Sequence, residues 1–166
     1  MPDQVSREEG KKKLRELMDG INYGMLTTID AGSLRSRPMA VLKPEEFNGE
    51  LWFFTRASSH KVDEVEREHH VNVSFAEPKH NRYVSVSGLA QLVRDRRKNE
   101  HYWNPAYKAW FPDGLDDPDL ALLKVDVDQA EYWDSPKSSM VHIAGFVKAL
   151  ATGTPAKGGE NAQVKM

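Results

Sequence analysis

From Tyr23 onward the chain is cut into runs of β-branched, aromatic and aliphatic residues, most of them joined by only a few polar or turn-forming residues. The runs are Tyr23 to Ile29, Pro38 to Leu42, Leu51 to Thr55, Val71 to Phe75, Tyr83 to Val93 and Leu120 to Trp133. Residues of this kind suit pleated strands. Parallel strands need crossovers of about a dozen residues or more, so a connection as short as Asp30-Ala31-Gly32 demands antiparallel pairing. Asn48-Gly49 supplies positive φ for a tight turn and predicts a hairpin joining the second and third runs, with Pro44-Glu45-Glu46 allowing a longer loop. In the fifth run Val84, Val86, Ala90 and Leu92 alternate with Ser85, Ser87 and Gln91, and Gly88 breaks the pattern as a bulge or a close backbone approach would. The expected fold is therefore mainly β with flanking helices, its antiparallel sheet closed into a small barrel that leaves no exposed edges.

Helices are expected around this sheet. Ser6 and Glu9 have capping-box spacing, and Leu14, Leu17, Met18 and Ile21 then recur along one helical face. Ser58 to Glu68 reads as a short helix, with Val62 and Val65 apolar among Lys61, Asp63, Glu64, Glu66 and Arg67. Asp95 caps a helix running to about Trp103, and Met140 to Leu150 reads as an apolar helix near the end. Asn104 to Asp119 is predicted to be an ordered loop, because Trp103, Tyr107, Trp110 and Phe111 need something to pack against. The chain of 166 residues is expected to form one domain over residues 1–151, followed by a mobile Gly- and Lys-rich tail over 152–166.

Composition narrows the function classes. Charged residues make up 29% of the chain and the formal net charge is -2, so mixed signs argue against nucleic acid as the partner. Cysteine is absent, which excludes disulfides, thiolate metal sites and cysteine nucleophiles and suits a reducing compartment. Met1 to Lys13 has no apolar signal core, and no stretch reaches the roughly 20 apolar residues of a membrane helix. A cytoplasmic protein without a membrane partner is expected. No metal site is predicted either. His69 and His70 are adjacent, no histidine forms a clear ligand pair with a nearby carboxylate, and Asp113 to Asp119 lacks the register of a calcium loop. Ser, His and Asp occur without a nucleophile elbow to order them for acyl transfer.

The segment richest in chemistry is Leu51-Trp52-Phe53-Phe54-Thr55-Arg56-Ala57-Ser58-Ser59-His60-Lys61. A strand here runs into a helix whose first turn holds two hydroxyls, an imidazole and an ammonium. Unpaired N–H groups at a helix start, with Ser and Lys nearby, make a seat for a phosphate. Arg37, in Ser36-Arg37-Pro38-Met39, can join Lys61 there if the two strands pair, and its guanidinium can hold two oxygens. Taken singly, each fragment also fits a plain role, the serines as helix caps and the cations as solvated surface.

Together these blocks resemble the pyridoxamine-phosphate-oxidase-like, FMN-binding split barrels, in particular their general stress protein branch. The resemblance is carried by Ser36-Arg37-Pro38-Met39, by Trp52-Phe53-Phe54-Thr55 with Ser59 and Lys61, by Tyr83 to Gly88, by Ala109-Trp110-Phe111-Pro112-Asp113-Gly114 and by Glu131-Tyr132-Trp133. It implies a Greek-key antiparallel split β-barrel that works as a homodimer with the cofactor at the subunit interface. FMN is the implied cofactor, with FAD as the alternative. The implied contacts are Arg37, Ser59 and Lys61 as the phosphate clamp, with Pro38 and Met39 beside it. Thr55 and Arg56 would lie along the ribityl chain and ring, Tyr83 would reach across the interface, and Trp133 would abut the flavin. Trp110 is either a ring-stacking lid or a cap over the barrel. The implied activity is that of a flavin-dependent oxidoreductase with a small-molecule redox partner; the alternative is a non-enzymatic flavin-binding or sensing stress protein. Pyridoxamine-phosphate oxidation itself is not expected, because Asp134-Ser135-Pro136-Lys137-Ser138-Ser139 replaces the arginine and histidine that hold pyridoxal phosphate in the oxidases. Lys43 is near a substrate-binding lysine of the family, but its spacing from Arg37 is one residue longer and the role is not carried over.

Overall fold

A computed structural model describes residues 3–4, 6–42, 47–134 and 160–166. In chain order its elements are β1 (Asp3–Gln4), α1 (Arg7–Met18), β2 (Tyr23–Asp30), β3 (Ser33–Ala40), β4 (Glu50–Arg56), α2 (His60–Arg67), β5 (His70–Glu77), β6 (Arg82–Val93), α3 (Arg96–Tyr102), β7 (Leu120–Asp134) and β8 (Glu160–Lys165). The strands form one sheet in the order β1-β8-β7-β6-β5-β2-β3, with β4 also paired to β7. Every pairing is antiparallel except that of the short β1 with β8.

The long strand β7 organises the barrel. Its Leu120–Asp126 half pairs with β4, and its Gln129–Asp134 half pairs with β8. The sheet closes where the end of β3 meets β4, through the lone bridge Leu42 to Trp52, whose Leu42 N–H donates to the Trp52 carbonyl at 2.9 Å. The second and third runs therefore do meet antiparallel, across the longer loop rather than a tight turn centred on Asn48-Gly49, and among the described residues at this one bridge. Gly49 does adopt positive φ, 102°, but the chain leaves the turn to pair with β7. The reason lies in β4 itself, where Leu51, Trp52 and Phe53 are all buried. A strand apolar on both faces needs cover on both, and β7 supplies a matching partner in Ala121, Leu122 and Leu123. Leu51 and Phe53 face the barrel core with Leu123 and Val125, whereas Trp52 and Leu122 pack outward with Tyr102 and Tyr107.

Local sequence explains most of the rest. Ser6 caps α1 by accepting from the Glu9 N–H and donating to the Glu9 carboxylate at 2.6 Å. Asp95 caps α3 by accepting from the N–H groups of Arg97 and Lys98. Gly88 sits at a register shift between β6 and β7, and a Cβ there would run into the Asp126 carbonyl. Glu160–Lys165, expected to belong to a mobile tail, instead forms β8. Ala162 and Val164 are buried in the core, so their apolar side chains outweigh the flanking Gly and Lys. The expected helix over Met140–Leu150 lies outside the described residues, as do 135–139 and Lys43. Among the described residues no helix is long and apolar enough to cross a membrane.

Candidate functional site

Two structural layers meet at the C-terminal end of β4. The first is the turn into α2. Ser59 stands at the N-cap with its side chain making no capping bond. Its hydroxyl lies 3.3 Å from Thr55 Oγ1, and the Lys61 ammonium donates to both hydroxyls at 3.2 Å. Thr55 is buried, and Lys61 is half-buried. Burial, followed by the nearby Arg37 charge, draws the Lys61 ammonium below the ordinary lysine range, and Glu64 pulls it partly back up. Among the described residues the ammonium thus has two neutral hydroxyls as its bonded partners, and no carboxylate.

The second layer is aromatic. Phe54 packs edge-on against Trp103, Tyr107 and Phe111, with ring centroids 5.9, 5.2 and 6.2 Å away. Arg56 ties this loop to the barrel by donating to the Trp110 carbonyl at 2.7 Å and lying over the Phe111 ring at 5.1 Å. Phe111 is buried, whereas Trp110 is 58% exposed. The loop thus has a packed base and one indole turned to solvent. Between these layers lies a cavity of about 420 Å³, apolar and aromatic along most of its wall, with Thr55, Arg56 and Lys61 at its polar end. Pro38, Met39, Tyr23 and Trp110 also line it.

Behind Lys61 is a buried charge network. Glu64, on α2, is only 1% exposed. Its carboxylate accepts from Arg37 Nη2 at 2.6 Å and Arg35 Nη1 at 3.0 Å, and also from the Thr28 hydroxyl. Arg37 Nη1 donates to that same hydroxyl at 2.6 Å. Burial pushes the Glu64 carboxyl up, but the bonds from Thr28 and Arg37 and the charges of Arg37 and Arg35 outweigh it and hold Glu64 below the usual carboxylate range. Asp30 lies alongside, held low chiefly by its bond to His60. His60 Nε2 is 3.2 Å from Asp30 and 3.3 Å from Glu64, so, against expectation, one histidine does meet two carboxylates, Glu64 one helical turn on and Asp30 on β2. Their ligand atoms lie within 4.8 Å of one another. Arg35 Nη1, at 3.3 Å from Asp30 and 3.0 Å from Glu64, already serves both carboxylates.

A family model described as pyridoxamine 5'-phosphate oxidase like matches residues 9–156. The chain belongs to the pyridoxamine 5'-phosphate oxidase-like family. It is 32% identical over 163 residues to protein bli-3 of Neurospora crassa, covering 92% of this chain and 78% of that protein. General stress protein 26 of Bacillus subtilis is 25% identical over 144 residues, covering 84% of this chain and 99% of the relative. Among solved structures, the general stress FMN/FAD binding protein of Xanthomonas citri superposes with a TM-score of 0.70 at 27% identity, covering 79% of this chain and 92% of that one. The split barrel is the fold of the pyridoxamine 5'-phosphate oxidase-like proteins, and the chain falls in their general stress protein branch.

Of the residues singled out in the sequence, Pro38, Met39, Thr55, Arg56, Lys61 and Trp110 line one cavity, with Ser59 bonded to Lys61 beside it. Arg37 does not line that cavity; it lies near enough to Lys61 for its charge to depress that ammonium, and two of its nitrogens are engaged by Glu64 and Thr28. Tyr83 and Trp133 stand opposite each other on β6 and β7, each 40% exposed, and neither borders the cavity. Motif and spacing alone did not single out Glu64, Arg35 or Thr28. A usable signal existed in the helix, because Glu64 and Val65 follow Lys61 at the i+3 and i+4 positions that share its face. Arg35 and Arg37, two apart on β3, likewise share one face of that strand.

Proposed function

We propose that this protein binds a flavin nucleotide, FMN or the larger FAD, and acts as a flavin-dependent oxidoreductase on a small-molecule redox partner in the cytoplasm. The observation that carries the reading is the pairing of a half-buried ammonium, bonded to hydroxyls, with an aromatic-walled cavity of about 420 Å³. A dianionic phosphate on a planar aromatic body matches both ends. Lys61, Ser59 and the remaining donors of Arg37 would hold the phosphate, and Trp110, Tyr23 and Met39 would flank the ring. When bound, the isoalloxazine supplies the electron transfer. The chain's own residues hold it in place and shield one side from water.

A second copy of the chain completes the site in this reading. Tyr23, Met25, Tyr83 and Trp133 all point outward from the sheet at 40% exposure or more. Large apolar side chains left open on a paired sheet suit a subunit interface. Trp133 and Tyr83 would then approach the cofactor of the partner subunit.

The test starts with the visible spectrum of the purified protein and mass identification of any released flavin, followed by titration of the emptied protein with FMN. Replacing both Arg37 and Lys61 with Ala should weaken FMN binding by about a hundredfold or more while the barrel stays folded, since each charge-assisted contact contributes about 1.5 to 3 kcal/mol. Unchanged affinity would remove these cations from the site. The oxidoreductase role requires bound flavin to be reduced by NADH or NADPH and reoxidised by an added acceptor. Light scattering during dilution tests the shared site, because a monomer that keeps its flavin contradicts it.

A further inference from the structure

Among the described residues Glu64 is the buried group that most needs a reason. A carboxylate taken out of water is expensive unless its lone pairs are met. Here they are met by two guanidiniums and a hydroxyl, from Arg35, Arg37 and Thr28. Arg35 and Arg37 both donate to the Glu64 carboxylate, whereas the bonded partners of Lys61 are hydroxyls.

The geometry of Arg37 shows what the carboxylate does. A guanidinium carries five N–H donors in a rigid plane. Glu64 takes a donor from Nη2 and Thr28 one from Nη1. With two points of the plane fixed, its orientation beside Lys61 is fixed too, and its remaining donors are presented without further loss of rotamer freedom. We propose that Glu64 is a positioning residue for phosphate recognition, acting through Arg37, and that it makes the site discriminate a phosphorylated flavin from the unphosphorylated one. This inference rests on the flavin-nucleotide reading above.

The experiment compares FMN and riboflavin binding to the full-length protein and to the variants Glu64→Gln, Thr28→Val, Arg37→Gln and the double variant Arg37→Gln/Glu64→Gln. Glu64→Gln keeps the shape and removes the charge. It is expected to weaken FMN at least tenfold and leave riboflavin within about twofold. Thr28→Val, which deletes the second anchor without touching a charge, should shift the FMN-to-riboflavin ratio in the same direction by less. In the double variant the ratio should fall no further than in Arg37→Gln alone, because Glu64 then has nothing left to position.

A purely electrostatic role has the opposite sign. If Glu64 merely drains positive charge from the corner, Glu64→Gln will bind FMN more tightly, and the proposal is wrong. Equal losses for FMN and riboflavin in both Glu64→Gln and Thr28→Val would mean a structural role only and would overturn it as well. Should Glu64→Gln fail to fold, an unchanged ratio in Thr28→Val overturns the proposal in its place. Native protein that binds neither flavin refutes the underlying reading, whereas native protein that prefers FMN while every variant keeps that preference refutes only the role of Glu64.

Discussion

The helices α1 and α2 lie against the same barrel and bury different chemistry. On α1 the inward residues are Gly10, Leu14 and Leu17; on α2 they are Val62, Val65 and Glu64. The first helix is held by apolar packing so close that a Cβ on Gly10 would run into the Val164 side chain. The second gives up part of its apolar face to a carboxylate with two guanidinium partners. Ion pairs of this kind seldom stabilise more than apolar residues of the same size would. The difference indicates that α1 serves stability and that α2 serves the placement of charge.

Truncating α1 should produce the largest stability effect. Leu17→Ala, at a position 1% exposed, should lower unfolding free energy by about 2 to 5 kcal/mol, read by urea denaturation, and leave the relative binding of FMN and riboflavin unaltered. A change in that ratio would break the division of labour between the helices. Glu64→Gln should cost less, about 1.5 to 3 kcal/mol from weakened charged hydrogen bonds, because Arg37 and Arg35 retain some access to water.

Acid should separate the helices further. Glu64 titrates below its ordinary range in the folded protein, so the unfolded chain binds the proton first as pH falls. The contribution of Glu64 is therefore complete above the unfolded carboxylate range, near pH 4.3, and is lost as pH drops through the lower folded value. Native protein should lose more stability over that interval than Glu64→Gln does. Parallel curves would mean that Glu64 binds its proton equally well in the folded and unfolded chain, and a native protein that gains on Glu64→Gln as pH falls would mean that its carboxyl is held up rather than down. The smallest expected effect is that of Trp110→Ala, within about 0.5 kcal/mol of the native stability because the indole is mostly in water. Its consequence should instead be seen in flavin fluorescence quenching, and a stability loss as large as that of Leu17→Ala would make the indole a packing residue.

Much of the fold could be read locally. Ser6, Asp95 and Gly88 each announce a structural event through their own chemistry, a cap, a second cap and a bulge. Alternation along β6 predicted which side chains turn inward, and Val84, Val86 and Ala90 are buried, whereas Leu92 near the strand end is half-buried. The route of β4 could not be read in this way. Asn48-Gly49 supports a turn, but the partner of the following strand depended on where a two-sided apolar surface found cover, more than sixty residues along the chain. β8 escaped for a similar reason, since its flanking Gly and Lys suggest mobility and its burial comes from docking on distant elements, β7, β1 and α1.

By itself the sequence determined the antiparallel class, the caps, the polar end of β4 and the aromatic composition of the loop after α3, because these depend on backbone preferences and on spacing within a few residues. Only the tertiary structure decided that Arg37 and Arg35 would be turned toward Glu64. Short-range chemistry names the charged groups, but their partners depend on which distant surfaces exclude water together. That exclusion is settled when the barrel closes.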